Sequence, residues 1–206
     1  MTNRLKTIRT LLFTTLLVLT GLCACTTKAN KTDNSADQAS EMPKSLVCYF
    51  SATGTTAEAA HRIAEITGAD IYEITPATRY TDADLDWRDS LSRSFVEMHN
   101  RNSRPAIVDS LPDMKQYDVI YIGYPNWWNT HPTIINTFIE ANDFKGKTVV
   151  PFMTSGGSDI INSEKELKES YPTLTFAKGL LMNGVSDEDI KAWAETSSSH
   201  NDAIIK

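Results

Sequence analysis

Long apolar runs, cysteine and clustered positive charge are all scarce in this chain. The longest apolar run, 11–22, has about 12 residues, against the ~20 a helix needs to cross a bilayer. No transmembrane helix is therefore expected. Only three cysteines occur, Cys23, Cys25 and Cys48, too few for the framework of a disulfide-stapled fold. Lysine and arginine number 20 against 26 aspartates and glutamates, a net charge of −6. Such a balance argues against a nucleic-acid partner, because neutralising phosphates takes clustered Lys and Arg. It is compatible with a basic protein partner drawn in electrostatically, or with ordinary solubilising charge. His61, His99, His131 and His200 are too scattered for a metal site, and none is expected. No internal repeat is visible. What remains is 41% apolar and 9% aromatic residues over 206 positions, enough to bury the core of one domain and to exclude global disorder.

The N-terminus carries an address. Arg4, Lys6 and Arg9 precede the apolar run, which ends in Leu22-Cys23-Ala24-Cys25. A basic segment followed by a short apolar one reads as a signal peptide, 1–24. The ending resembles the lipobox of bacterial lipoproteins, a bulky apolar residue and small ones before a lipidated cysteine. Cys25 fits better than Cys23, which would put Leu22 at the cleavage position. The resemblance implies a lipid-anchored protein of the bacterial cell envelope, held to a membrane by its lipid alone. A lipidated Cys25 cannot pair with Cys48, so no disulfide is expected. Cys48 lies in an apolar stretch and reads as a small buried hydrophobe. Removal of 1–24, which holds three basic residues and no acid, leaves 17 basic against 26 acidic groups, or −9. Residues 26–44, TTKANKTDNSADQASEMPK, have almost nothing to bury. With Cys25 they form a lipidated tether, 25–44, whose typical reach is ~25 Å.

The globular domain, 45–206, alternates strands and helices. Apolar runs of strand length fall at 45–50, 118–124 and 148–153, with further strands expected at 70–75 and 173–182. Helices are expected at 56–67, where Ala57, Ala60, Ile63 and Ala64 share a face, at 132–142 with Pro132 in the first turn, and at 186–196. A further helix contains Ser163 and Glu166 at the spacing of a capping box. Unbroken apolar strands alternating with helices imply an α/β fold, a doubly wound sandwich whose five-stranded parallel sheet has order 2-1-3-4-5 and helices on both faces. Ligands on such sheets bind at the carboxyl ends of the first and third strands. Pro151 conflicts with an interior strand, since proline cannot donate to the ladder, and is expected near the strand end or at a bulge. The connection 79–109 is long, charged and weakly periodic, with one helix expected around 87–98. Connections of that length are often functional.

Three loops carry chemistry. The first, Ser51-Ala52-Thr53-Gly54-Thr55-Thr56, joins the first strand to its helix. A helix N-terminus offers free N–H groups and partial positive charge, Gly54 permits close backbone approach, and the hydroxyls add neutral donors. Together they can hold a phosphate dianion without a cation. No Gly-Lys-Ser/Thr follows the loop, which excludes a Walker loop, and one glycine is a poor match to a dinucleotide fingerprint. The second loop, Tyr124-Pro125-Asn126-Trp127-Trp128-Asn129-Thr130-His131-Pro132, places two tryptophans at a strand end. Indole stacks well on planar rings. One of the pair is expected to fill the core. His131 reads either as a proton donor near the ligand or as a residue leading into the next helix. The third loop, Thr154-Ser155-Gly156-Gly157-Ser158-Asp159, has paired glycines that let backbone groups reach a planar ligand edge.

The first loop resembles the phosphate loop of flavodoxins, Ser/Thr-x-Thr-Gly-x-Thr, matched by Ser51, Thr53, Gly54 and Thr56. Thr55 stands where asparagine is common. By order of elements the resemblance covers about 45–195. It is closest to short flavodoxin-like proteins with Trp-Trp and Thr-Ser-Gly-Gly loops, and 79–109 departs from the small members. The resemblance implies non-covalently bound FMN. Ser51 and Thr53–Thr56 would hold the phosphate, and Pro125, Asn126, Trp127, Trp128 and Asn129 would wrap the isoalloxazine. Trp128 is the first candidate for stacking and Trp127 the second. Thr154, Ser155, Gly156 and Gly157 would complete the site. The function implied is electron transfer with a redox protein partner, membrane-associated given the anchor, and no catalytic side chain is required. The alternative is an FMN-dependent NAD(P)H:quinone-type oxidoreductase. It would need a pocket built from 79–109, with Tyr80, Trp87, Arg88 and Arg104 as candidates. A flavodoxin fold binding no flavin is a third reading.

If Cys25 carries the lipid, Cys25→Ala leaves the chain soluble or unprocessed. Membrane fractionation and mass spectrometry of the mature N-terminus check this. A mature chain that is unlipidated and begins elsewhere than Cys25 would overturn the assignment.

Overall fold

The computed structural model describes residues 43–108 and 112–199. The signal segment, Cys25 and most of the tether lie outside these residues. The three central strands form where apolar side chains can be buried on both faces at once. In β1 (Ser45–Tyr49), Leu46 and Cys48 point to one core while Val47 and Tyr49 point to the other. The same alternation runs through β3 (Val119–Pro125) and β4 (Thr148–Thr154), in which nearly every residue is buried. The sheet is parallel, with β2 at Asp70–Glu73 and β5 at Thr175–Phe176, of order β2-β1-β3-β4-β5. One face is covered by α1 (Thr55–Thr67) and α5 (Asp187–Ser198) through Ala60, Ile63, Ile190 and Ala194. The other is covered by α3 (Thr133–Ala141) and α4 (Ile161–Ser170) through Ile134, Ile135, Phe138 and Leu167. Cys48 is fully buried as an inert hydrophobe, and desolvation raises its thiol pKa well above the ordinary value.

Three local expectations are corrected. Residues 173–182 form two short pieces, β5 (Thr175–Phe176) and β6 (Leu180–Leu181), both paired with β4. The cause is Pro151, which sits mid-strand rather than at an end or bulge. Alternate residues of a parallel strand bond to opposite neighbours. The Val149 and Met153 carbonyls accept from Ala177 and Met182, on the β5–β6 side. Pro151 shares their parity, so its missing N–H faces that side, where the ladder is interrupted. Gly179 lies there, close to the Pro151 carbonyl. The proline therefore leaves the β3–β4 ladder whole. Second, the capping box at Ser163 and Glu166 does not form. The helix begins earlier, with Ile160 at its N-cap, and both side chains bond elsewhere. Third, the helix in the long connection is α2 (Arg93–His99), capped by Ser92. Trp87 lies before it, and turns fill 82–92.

Gly123 marks the tightest packing in β3. A Cβ at this position would overlap the Phe152 ring, whereas one at Gly156 would meet nothing within 4 Å. Gly123→Ala should cost about 3 kcal/mol, the upper part of the overpacking range, and Gly156→Ala only a few tenths. Urea unfolding of both variants checks this, and equal midpoints would refute the packing argument.

Candidate functional site

The three loops leave the carboxyl ends of β1, β3 and β4, and the pairing of those strands sets them side by side. In the first, Gly54 takes a left-handed conformation at φ 95°, as the N-cap of α1. Glycine adopts this without strain. No side chain caps the helix. The first intrahelical bond runs from Glu58 N–H to the Gly54 carbonyl, so the N–H groups of 55–57 face outward, where the helix presents positive potential. Ser51 Oγ accepts from Gly54 N–H at 3.1 Å and closes the turn from behind. The buried hydroxyls of Thr56 and Thr154 lie 2.7 Å apart and tie this loop to the third.

The third loop is pre-formed. Asn126 N–H donates to the Thr154 carbonyl at 2.7 Å. Asn183 grips Ser155 from both sides, accepting from its N–H at 3.0 Å and donating to its carbonyl. Ser155 Oγ accepts from Gly157 and Ser158 N–H. These bonds hold the glycines in place while leaving space over them.

The second loop reverses in two residues. Trp127 and Thr130 exchange both backbone hydrogen bonds at 3.0 Å, with Trp128 at φ 47° and Asn129 at φ 64° between them. Positive φ at both central positions is the pattern of a type I′ turn. For tryptophan the conformation costs roughly 1–2 kcal/mol. Trp127 packs edge-on against Phe50 and Tyr80 at the margin of the core. Trp128 remains 37% exposed, its ring edge-on to Phe95 and His99 of α2.

Two cavities meet at Thr53, Pro125, Asn126 and Gly156. One, of about 460 Å³, is bordered by hydroxyl and amide side chains of Thr55, Thr56, Thr154, Ser155 and Asn183. Its charged lining residues are Glu58, in the first turn of α1, and Arg62, which is engaged by Asp187 and the Val185 carbonyl. The other, of about 560 Å³, is aromatic, bordered by Trp127, Trp128 and Gly157, with Leu85, Trp87 and Ser94 from the long connection. Both volumes suit a small-molecule ligand. Two polar atoms of lining residues, Asn126 Oδ1 and Ser94 Oγ, are buried without a protein partner, a common sign of a missing ligand or water.

Eleven of the fourteen expected binding residues thus border the cavities. Ser51, Gly54 and Asn129 do not: the first two shape the turn beneath α1, and Asn129 gives its carbonyl to Asn162 at 3.0 Å. Leu85, Ser94, Ser158 and Asn183 were not anticipated, since nothing in their local sequence distinguishes them. Trp87, 68% exposed, lines the aromatic cavity. Tyr80, Arg88 and Arg104 do not, being committed to Glu97, Asp86 and Glu140.

His131 lines neither cavity. It is fully buried, leads into α3, and accepts from Arg101 at Nε2 over 3.1 Å. Burial first, and then the Arg101 guanidinium, keep its imidazole neutral and push its pKa from 6.5 down to about 3. It is therefore no proton donor to the site. Among the described residues no group of His, Cys, Asp and Glu could hold a metal ion.

Comparison with known proteins identifies the family and agrees with the fold. A family model described as flavodoxin matches residues 44–197. Among solved structures, the chain is similar to candidate flavoproteins from Bacteroides eggerthii, at 52% identity and a TM-score of 0.74, and Bacteroides uniformis, at 56% and 0.72. These alignments cover 76% and 75% of this chain and 98% and 99% of the others. A Lactobacillus acidophilus flavoprotein, solved in complex with FMN, shares the fold at 23% identity and a TM-score of 0.59, over 74% of this chain and 99% of its own. A search of the curated proteins found no match.

Neutral burial of His131 makes the domain acid-sensitive. As pH falls from 6.5 towards 3 the unfolded chain takes up a proton that the native chain refuses, so stability falls across that window. The full effect is on the order of 5 kcal/mol for a shift from 6.5 to about 3. Denaturant unfolding between pH 7 and pH 4 should show a shallower loss for His131→Asn than for the parent chain. Identical slopes would refute neutral burial.

Proposed function

This chain belongs to the flavodoxin family, and from that premise we propose that it binds FMN and serves as an electron-transfer protein. The observation that carries the reading is the join between an anion cradle made of neutral donors and an aromatic cavity. A ligand with a phosphate at one end and a flat apolar ring at the other matches both. Bound FMN would supply reversible one- and two-electron exchange. The chain's part is to hold and orient it. The N–H groups of 55–57, with the Thr53 and Thr55 hydroxyls, take the phosphate at the positive end of α1. Trp128 and Trp127 border the ring. The glycines of 156–157 bring backbone N–H and C=O groups to its edge, and Asn126 Oδ1 and Ser94 Oγ are unpaired polar atoms of residues in the lining. Electron transfer on this plan uses no acid or base from the protein.

The same proposal covers location and partner. The lipobox-like Leu22-Cys23-Ala24-Cys25 and the polar stretch 26–44 support a lipid anchor with a tether in the bacterial envelope. Among the described residues no helix is long and apolar enough to cross a membrane. A membrane-associated redox protein within the tether's reach is the partner that such an anchor serves, and excess acid on this chain would favour a basic docking face.

One observation favours a second reading, an FMN-dependent NAD(P)H:quinone-type oxidoreductase. Leu85 and Trp87 add a wall to the aromatic cavity, which a carrier does not require and a small acceptor could use.

FMN should bind much more tightly than riboflavin, because each charged hydrogen bond to the phosphate contributes roughly 1.5–3 kcal/mol. Thr53→Ala should weaken FMN alone, without unfolding the domain. Equal affinity for the two flavins in a titration would count against the cradle. Turnover of a quinone panel with NADH or NADPH should be slow, while reduction of a protein acceptor should fall as salt rises. Brisk, salt-insensitive quinone turnover that Trp87→Ala abolishes, with FMN still bound, would establish the second reading.

A further inference from the structure

The strained turn that carries Trp128 does not hold itself. The hydrogen bonds around it converge on three side chains from distant parts of the chain, Glu166, Asn162 and Arg101. Glu166 of α4 accepts from Thr130 Oγ1 at 2.6 Å through Oε2, and from Asn162 Nδ2 at 3.0 Å through Oε1. Asn162 Nδ2 also donates to the Asn129 carbonyl at 3.0 Å. Arg101, just beyond α2, donates through Nη1 to the His131 carbonyl at 3.0 Å. Through Nη2 it reaches His131 Nε2 at 3.1 Å and Glu166 Oε2 at 3.4 Å. One guanidinium thus spans the backbone after the turn, the buried imidazole and the carboxylate that holds Thr130. A planar donor with several fixed N–H directions is suited to this, and a lysine is not. The same segment holds the indole from outside, through the Phe95 and His99 rings.

We propose that Arg101, acting through Glu166 and the 129–131 backbone, is the positioning residue that sets Trp128 against the isoalloxazine. The long connection between β2 and β3 is then a brace for the ring end of the site. The inference rests on the FMN reading above but goes beyond it. It assigns a role to a residue that touches no ligand, and it explains why a tryptophan is held at positive φ. A turn left to itself would relax the strain by letting Asn129 and Trp128 change conformation, and the indole would leave the cavity wall. Fixing it in the bound geometry beforehand lowers the ordering cost of binding.

The experiment is a double-mutant cycle on the full chain, loaded with FMN or riboflavin. Arg101→Met keeps the apolar stem and removes the donors. It should weaken both flavins by the same factor, about tenfold, as expected for loss of a charged hydrogen bond. The preference for FMN over riboflavin stays intact, because the phosphate cradle is untouched. Flavin fluorescence, quenched by the nearby indole in the parent chain, should rise in the bound variant. In a Trp128→Ala background Arg101→Met should have no further effect on either affinity, the coupling that marks action through Trp128. Glu166→Gln, which keeps its size and still accepts from Thr130, should show the same coupling at smaller amplitude and serves if Arg101→Met folds poorly. Equal losses in both backgrounds, or a loss confined to FMN, would overturn the proposal. A parent chain that binds neither flavin would overturn the underlying reading, and this one with it.

Discussion

Seven consecutive register pairs join β3 to β4, from Val119 opposite Thr148 to Pro125 opposite Thr154, and the site depends on this ladder. It ends where the ligand-facing loops begin. The last bond on that line, Asn126 N–H to the Thr154 carbonyl, puts the two loops level. A slip of one residue would turn every side chain to the opposite face. It would also carry Thr154 away from Thr56, breaking the hydroxyl contact that joins the helix N-terminus to the third loop. Cavity shape, loop height and access to the N–H groups of α1 thus follow from backbone pairing deep in the sheet. Pro151 is tolerated within this ladder because its lost donor points away from it.

Much of this arrangement was legible from the chain alone. Strands buried on both faces read as unbroken apolar runs, and the order of elements leaves few topologies. Positions in the three loops were legible because the residue types carry physical meaning: glycine where a helix starts without a cap, paired tryptophans at a strand end, paired glycines beyond another. The misreadings share one cause. Ser163 and Glu166 have the spacing of a capping box, yet Tyr124 and Thr130, 39 and 36 residues away, compete successfully for them. The turn at 127–130 carries only half of the usual signal, Asn129, and distant partners hold Trp128 at the other central position. Ser94 and Asn183 reach the site only through the fold. Local rules fail where tertiary bonds outweigh them.

The site also shows two ways of paying for function. At the anion end nothing is strained, and an uncapped helix is left with donors that water would otherwise satisfy. At the ring end a tryptophan is held in an unfavourable conformation by a polar network that is buried at His131 and half-exposed at Arg101 and Glu166. That network consists of a neutral histidine, a carboxylate and a guanidinium that donates to both, with Thr130 Oγ1 donating to the carboxylate as well. Networks of this type specify one arrangement strongly and tolerate loss of a member badly.

The interruption opposite Pro151 bears on self-association. A sheet edge with a long row of unpaired N–H and C=O groups is a template for another chain. Here one edge is divided into pieces of two residues, Thr175–Phe176 and Leu180–Leu181. The other, Asp70–Glu73, is four residues long with an acid at each end. Neither offers a neighbouring copy enough ladder to extend. An interior proline that looks like a defect within one molecule therefore shortens the row of unpaired backbone groups that this edge could present to a neighbouring copy.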